Sequence, residues 1–597
     1  MFTCIWLLFV QIFFQIFLNF AQIDSKFERV GDTFARIDAG HLQGWAIRLK
    51  EESRNATAYV FKKIPYAEPP LGDLRFSRLR KKISWRGILN ATEYGPKCMT
   101  TRMLRTTPLK DIDEDCIFAN IFVDSRCFEG RVKCPVLVYF YGGALNYVES
   151  APINDAEILR RYATDEIVFV YVAYRVGIFG FIDSPGTYPN LGFDDAIFAL
   201  NWTRNEIGNF GGDPNRITLL GYSAGAYLSY FLHISPAVPR ELFRSSILIS
   251  VRGRYSAHGN RVHTLEILRR VGCIQSSESV YRNESELDCL RKIDAHTILN
   301  AQAAYDDTIG DIWRIQHYLQ PSIEQFPAPD EAALRREYFT PRPLLISTTQ
   351  CELAVTDVTE LCAHVRPTFG YRSRRALHAC LARYRPLHFR ATVLRAVMPE
   401  KGECLNDYDI DVDDAALYLI ALTNARRGGA SYSAYVTMAG HRTHYGDRVF
   451  FDALRRDHDG ILPTSAERLM DDYYPAMIKR FVKTDSPDQS PCSSVGRAAL
   501  RLSVGRRFKS CHGSYLLNRF LDFNSSRMKK KNQENLAWKP VDPTTGKGYF
   551  ELNFEVDSES GNITRRPTFH EGVPNPNAVH FWAVVEPRIE LEEMNET

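Results

Sequence analysis

Apolar positions along this chain gather into short β-branched and aromatic runs, separated by longer segments with helix-like spacing. The runs are VLVYFY from Val136, IVFVYVAY from Ile167, ITLL from Ile217, SILISV from Ser246, LLIS from Leu344 and YSAYVT from Tyr432, each bounded by Gly, Pro or polar residues. A strand that is apolar without alternation is one buried on both faces, and strands that alternate with helices build a mostly parallel sheet covered on both sides. The pattern therefore predicts an α/β fold with a large, mostly parallel central sheet. No internal repeat or extended low-complexity tract interrupts it. The stretch 486–540, richer in Ser and basic residues and carrying Cys492 and Cys511, reads as a surface insertion without a catalytic role. The rest of 22–597 reads as one domain.

The chain opens MFTCIWLLFVQIFFQIFLNFAQ, an apolar stretch ending at the small residue Ala21. It reads as a signal peptide over residues 1–21, although it lacks a basic start and is long enough to serve as an anchor if it is not removed. No later segment has the ~20 continuous apolar residues that span a bilayer, so no stable membrane insertion is expected after removal.

With 74 Lys and Arg against 71 Asp and Glu, the net charge of +3 is too small for this length to point to nucleic acid or an acidic membrane surface. Of 13 cysteines, Cys4 lies in the leader and the rest form an even set, compatible with disulfides in an oxidising compartment. Sequons at Asn55, Asn90, Asn283, Asn524 and Asn562 fit the same compartment, as does one at Asn595. A further one at Asn201 sits in an apparent helix beside Trp202 and is a doubtful acceptor. The expectation is a secreted or secretory-lumen glycoprotein.

The chemistry begins at Gly221, Tyr222, Ser223, Ala224 and Gly225, directly after ITLL and before the helix-like AYLSYFLHI. A serine on a tight strand-to-helix turn projects its hydroxyl above the sheet edge, and only small neighbours fit there. Serine is a weak nucleophile at neutral pH, so this reading demands a histidine base and a carboxylate to orient it, in the order Ser, acid, His. Glu352 follows the strand LLIS, and His444 follows YSAYVT. Both therefore fall at the sheet edge that carries Ser223, where open α/β sheets bind ligands. Tyr141, Gly142, Gly143 and Ala144 leave the strand VLVYF at that edge and expose backbone N–H groups for an oxyanion, with the N–H of Ala224 as the matching donor.

At these residues the sequence resembles the type-B carboxylesterase and cholinesterase family. The segment ALNWTRNEIGNFGGDPNRITLLGYSAGA is similar to the family's nucleophile region, and FKKIPYAEPPLGDLRF and EDCIFANIFV are similar to its N-terminal signatures. The resemblance runs from about Phe34 to the segment starting at His580. It implies an α/β-hydrolase fold and a serine esterase acting through an acyl-enzyme. It also implies a triad of Ser223, Glu352 and His444, oxyanion donors Gly143, Ala144 and Ala224, and disulfides Cys98–Cys116 and Cys273–Cys289. A pairing of Cys404 with Cys492 or Cys511 stays open, and Cys127 and Cys134 are near enough in sequence to pair. No metal or organic cofactor is implied.

The chain departs from the family in places. Tyr222 stands where a Glu is usual, Tyr445 follows His444 where a Gly is usual, and His441 is a spare imidazole; Asp447 keeps the acidic residue three positions on. Cholinesterases hold a quaternary ammonium against a Trp in the first disulfide loop, a cation–π contact worth about 2 kcal/mol when desolvated. The segment between Cys98 and Cys116 has no aromatic residue, so uncharged small-molecule carboxylic esters are the expected substrates. Two other readings remain: a non-catalytic adhesion protein on the same scaffold, and a triacylglycerol lipase. The oligomeric state cannot be read from the sequence.

Overall fold

The computed structural model describes residues 27–51, 54–101, 111–148, 155–251, 255, 260–274, 283–309, 317–349, 362, 374–383, 407–438, 464–487, 539–544, 547–553, 555–556 and 563–571. Leader residues 1–21, Glu352, His441, His444, Tyr445, Asp447, Cys404, Cys492, Cys511, Asn524, Asn562, Asn595 and almost all of 486–540 lie outside them.

The main sheet has 13 strands. In chain order these are β1 (Phe27–Ile37), β2 (Gly40–Glu51), β3 (Arg54–Pro65), β4 (Ile88–Asn90), β5 (Phe118–Asp124), β6 (Cys134–Phe140), β7 (Val168–Val172), β8 (Gly212–Tyr222), β9 (Ser245–Ile249), β10 (Leu344–Thr349), β11 (Ser431–Val436) and β12 (Tyr549–Leu552). A small hairpin, β13 (Glu555–Val556) and β14 (Ile563–Arg565), stands apart, and β15 (Thr568–His570) closes the far edge. The spatial order is β1-β2-β3-β5-β7-β6-β8-β9-β10-β11-β12-β15, with β4 beside β2. From β7 to β12 every neighbouring pair is parallel. The wing from β1 through β5 to β7 is antiparallel.

All six runs read from the sequence are strands of the parallel core. Every residue of β5, β6, β9 and β10 is buried. Since successive side chains point to opposite faces, unbroken burial means that both faces are covered. β1 contrasts with them, alternating between exposed and buried residues at its end as expected where one face meets water.

Helices of eight or more residues include α1 (Leu191–Glu206), α2 (Ala224–Ile234), α3 (Arg261–Arg270), α4 (Asn283–Lys292), α5 (Ala295–Ile309), α6 (Glu331–Tyr338), α7 (Asp407–Arg426) and α8 (Ser465–Thr484), and residues 374–383 are helical as well. α8 starts with a full capping box, Thr464 and Glu467 each accepting from the other's backbone N–H. α1 is fastened by its buried Asp195, which takes bonds from the backbone N–H, Nε and Nη2 of buried Arg175 at 3.0, 2.8 and 2.7 Å. No described helix is long and apolar enough to cross a membrane.

Disulfides join Cys98 to Cys116, Cys127 to Cys134, Cys273 to Cys289 and Cys362 to Cys380. The last pair had no signal in the sequence reading.

Candidate active site

The chain leaves β6 for β7 on one side and returns through β8 on the other. This is the topological switch point of the sheet, where the carboxyl ends of adjacent strands open a crevice. Phe140 pairs with Gly221 at the ends of β6 and β8, so whatever follows these two strands must meet there.

After β8 comes Ser223, with φ 54° and ψ −122°, immediately followed by α2. A non-glycine residue held at positive φ costs of order 1–3 kcal/mol and persists only where its surroundings over-determine it. Here they do. Its N–H donates to the Ile249 carbonyl at 2.9 Å, and its carbonyl accepts from Tyr227 N–H at 3.0 Å. A Cβ on Gly221 would lie 2.5 Å from the Ala226 Cα, and one on Gly225 would lie 2.1 Å from the Phe140 carbonyl oxygen and 2.4 Å from that of Tyr141. Both glycines are therefore required by close backbone approach. All eleven residues of α2 are buried, as befits a helix apolar all round. Ser223 is 8% exposed and Tyr222 beside it 1%, so the phenol is part of the core behind the turn.

After β6 the chain makes a run of left-handed residues: Gly143 at φ 119°, Ala144 at 56° and Leu145 at 56°. A Cβ on Gly143 would fall 2.2 Å from the Tyr147 carbonyl oxygen. The loop closes on itself through Asn146 and Tyr147 N–H groups donating to the Gly143 carbonyl at 2.9 and 2.8 Å. Neighbours fix the other carbonyls, with Gly177 N–H on Leu145 at 2.8 Å and His317 N–H on Ala144 at 3.3 Å. At the root of the loop Tyr141 and Tyr174 stack with centroids 4.3 Å apart, and each hydroxyl donates to the other's carbonyl, at 2.5 and 2.6 Å. Burial pushes the Tyr141 phenol well above its ordinary range, so it stays a neutral donor.

The structure thus brings Ser223, Ala224, Gly142, Gly143 and Ala144 to one edge, at the ends of two neighbouring strands. β10 and β11 run parallel to β8 and end at the same edge; Glu352 and His444 come after them in sequence and lie outside the described residues. Asn90, at the end of β4, is exposed, and its Oδ1 accepts from the N–H and hydroxyl of Thr92 at 3.2 and 2.6 Å. Asn201 is exposed on α1, but Thr203, the third residue of its sequon, is buried with its hydroxyl on the Ala199 carbonyl at 2.8 Å.

The sequence model of the carboxylesterase family matches residues 31–368, a span that holds the strained serine and the left-handed loop. The chain is 33% identical over 317 residues to acetylcholinesterase of Bungarus fasciatus, covering 50% of this chain and 48% of that one. It is 32% identical over 316 residues to para-nitrobenzyl esterase of Bacillus subtilis, covering 51% and 61%, and 32% identical over 270 residues to juvenile hormone esterase of Tribolium castaneum, covering 42% and 43%. The matches take in roughly half of each relative's length. Since the family match extends over more than half of its residues, this chain belongs to the carboxylesterase family.

Proposed function

We propose that this chain is a secreted serine esterase that hydrolyses uncharged carboxylic esters through an acyl-enzyme on Ser223. The observation that carries the reading is the positive φ of Ser223 at the switch point, facing a loop with a left-handed run of its own. A scaffold used only for adhesion has no reason to keep that strain, because it stabilises nothing.

In the proposed reaction His444 takes the Ser223 proton as the hydroxyl attacks the ester carbonyl, and Glu352 orients the imidazole. The oxyanion accepts from the backbone N–H groups of Gly143, Ala144 and Ala224; one such donor is worth on the order of 3 kcal/mol in related enzymes. The alcohol leaves with the proton from His444, and water activated by the same imidazole releases the acid.

The lack of an aromatic residue between Cys98 and Cys116 favours neutral esters over choline esters. The disulfides and the exposed Asn90 sequon support passage through the secretory pathway. The test is hydrolysis of a short-chain aryl ester by wild type and Ser223→Ala, with organophosphate labelling and peptide mapping. The expected result is activity and label in wild type alone, with label on Ser223. Label elsewhere, or equal activity in the variant, removes the assignment; a wild type that is neither active nor labelled favours the adhesion reading.

A further inference from the structure

Behind the left-handed loop lies a group of buried polar side chains that the proposed reaction does not use. Asn146, the residue after the run, is 0% exposed. Its Nδ2 donates to Asp306 Oδ2 at 3.2 Å, and its Oδ1 accepts from Gln302 Nε2 at 2.5 Å. Gln302 Oε1 in turn accepts from the Ile178 N–H at 3.1 Å, one residue beyond Gly177, whose own N–H holds the Leu145 carbonyl. Asp306 Oδ2 also accepts from Thr101 Oγ1 at 2.9 Å, and Asp306 Oδ1 lies 3.2 Å from His263 Nε2. Beside Thr101, Thr100 accepts the Val148 N–H at 3.1 Å.

Gln302 and Asp306 are four residues apart on α5, hence on one helix face, and both are buried. His263 comes from α3, and Thr100 and Thr101 follow the disulfide-bonded Cys98. One helix, α5, therefore sets two buried polar side chains on a single carboxamide, and two further pieces of chain hold the carboxylate behind it through Thr101 and His263. Removing one member of such a network leaves its partners unpaired where water cannot replace it. The apolar alternative at Asn146 would pack without those requirements, so something other than packing asks for an amide here.

We propose that Asn146 is a positioning residue for the oxyanion hole, its carboxamide clamped by Asp306 and Gln302 so that Gly143, Ala144 and Leu145 keep their left-handed course and the N–H groups of Gly143 and Ala144 stay aimed at the developing oxyanion. The proposal rests on the esterase reading for its catalytic consequence, while the clamping of the loop stands on the geometry alone. Asn146 touches no reacting atom. It acts through the backbone of the three residues before it, so its effect belongs to the transition state and leaves ground-state binding alone.

The test compares wild type with Asn146→Ala and with the isosteric Asp306→Asn, which keeps one acceptor oxygen where the carboxylate serves Asn146 and Thr101 with one oxygen and faces His263 with the other. Three readings are taken: kcat and KM on an aryl ester, inhibition by a trifluoromethyl ketone, which adds to a serine hydroxyl and places an oxyanion in the hole, and hydrogen exchange of the peptide over 141–148. Both variants are expected to lose about tenfold to 100-fold in kcat with KM within about twofold. Ketone affinity should fall by the same factor, as loss of a transition-state interaction requires, while a non-reacting ether analogue of the ester binds as before. Exchange of the loop amides should quicken and that of β8 stay unchanged. Asp306→Asn guards against a fold lost in Asn146→Ala. Unchanged loop exchange in a folded variant overturns the clamp, and unchanged kcat with a loosened loop overturns its catalytic consequence. A loop that loosens in a protein whose wild type neither cleaves esters nor takes the organophosphate upholds the clamp and sinks the esterase reading instead.

Discussion

His233, at the end of the helix that starts from Ser223, makes stability depend on pH in a way that can be worked from its contacts. It is fully buried; Nδ1 lies 3.1 Å from the Thr340 carbonyl oxygen and Nε2 2.9 Å from the Ser246 hydroxyl. A carbonyl can only accept, so Nδ1 carries the proton and Nε2 accepts from Ser246. A helix C-terminus favours a cation by about 0.3–1 kcal/mol. Burial opposes charging far more strongly, and Arg342 nearby adds to it, lowering the pKa from 6.5 to about 3. That gap corresponds to about 5 kcal/mol against the imidazolium. Because the folded value lies below the unfolded one, the unfolded chain takes up the proton first as pH falls. The contribution is whole above about pH 6.5 and is lost progressively down to about pH 3. Between pH 7 and pH 5 the linkage relation gives a loss of about 2 kcal/mol from this one group. Denaturant unfolding of wild type and His233→Gln at the two pH values measures it. The variant is less stable at both, but its difference between pH 7 and pH 5 should be smaller by about 2 kcal/mol. Equal differences in the two proteins would refute the argument. His317, held neutral by burial and then by His263, acts in the same direction and remains in both proteins.

Gly225→Ala forces a methyl group against the Phe140 and Tyr141 carbonyls; turnover of an aryl ester should fall by about 100-fold or more, as an ångström of misplacement at a reacting group implies, and wild-type turnover would contradict the close approach. Arg175→Met leaves Asp195 as an unpaired buried carboxylate and should cost about 3–5 kcal/mol in denaturant unfolding. Replacing Cys98 and Cys116 together by Ser removes a cross-link spanning 18 residues. It should cost about 3 kcal/mol and, because Thr100 and Thr101 lie within that loop, should lower kcat more than it raises KM. Stability loss without a change in kcat would separate the cross-link from the oxyanion loop.

The parallel core was legible because a strand covered on both faces must be apolar at every position, and such runs stand out without partners. The antiparallel wing was not: β1 alternates, carries Glu28, Arg29, Asp32 and Arg36 among its apolar residues, and earns its place only by pairing with β2. The turn at Ser223 is legible because its two glycines lie two residues to either side of the serine they make room for. The clamp on Asn146 gave no such signal. Asn146 is 156 residues from Gln302 and 160 from Asp306, and each alone is an unremarked polar residue. The sole local hint was Gln302 and Asp306 at helical spacing on a face shared with buried Ile298 and Leu299.

The strain at the site has a consequence for how its two halves behave. Ser223, Ala144 and Leu145 each hold a left-handed backbone, and each would relax if its neighbours allowed it. What prevents this at the serine is the same contact that seats the loop: Gly225, at the start of α2, lies against the carbonyls of Phe140 and Tyr141, the last strand residue of β6 and the first residue beyond it. Tyr141 is in turn locked to Tyr174, and Tyr174 follows β7. The ends of β8, β6 and β7 are therefore fixed relative to one another by backbone contact and hydrogen bonds, with no long side chain between Ser223 and the left-handed loop. On the proposed mechanism this matters because donors aimed at a developing charge act only if they need not move when it appears. A substitution at Gly225 should then damage both functions at once, whereas one at Gly143, which meets only Tyr147 of its own loop, or at Asn146 should reach the loop alone.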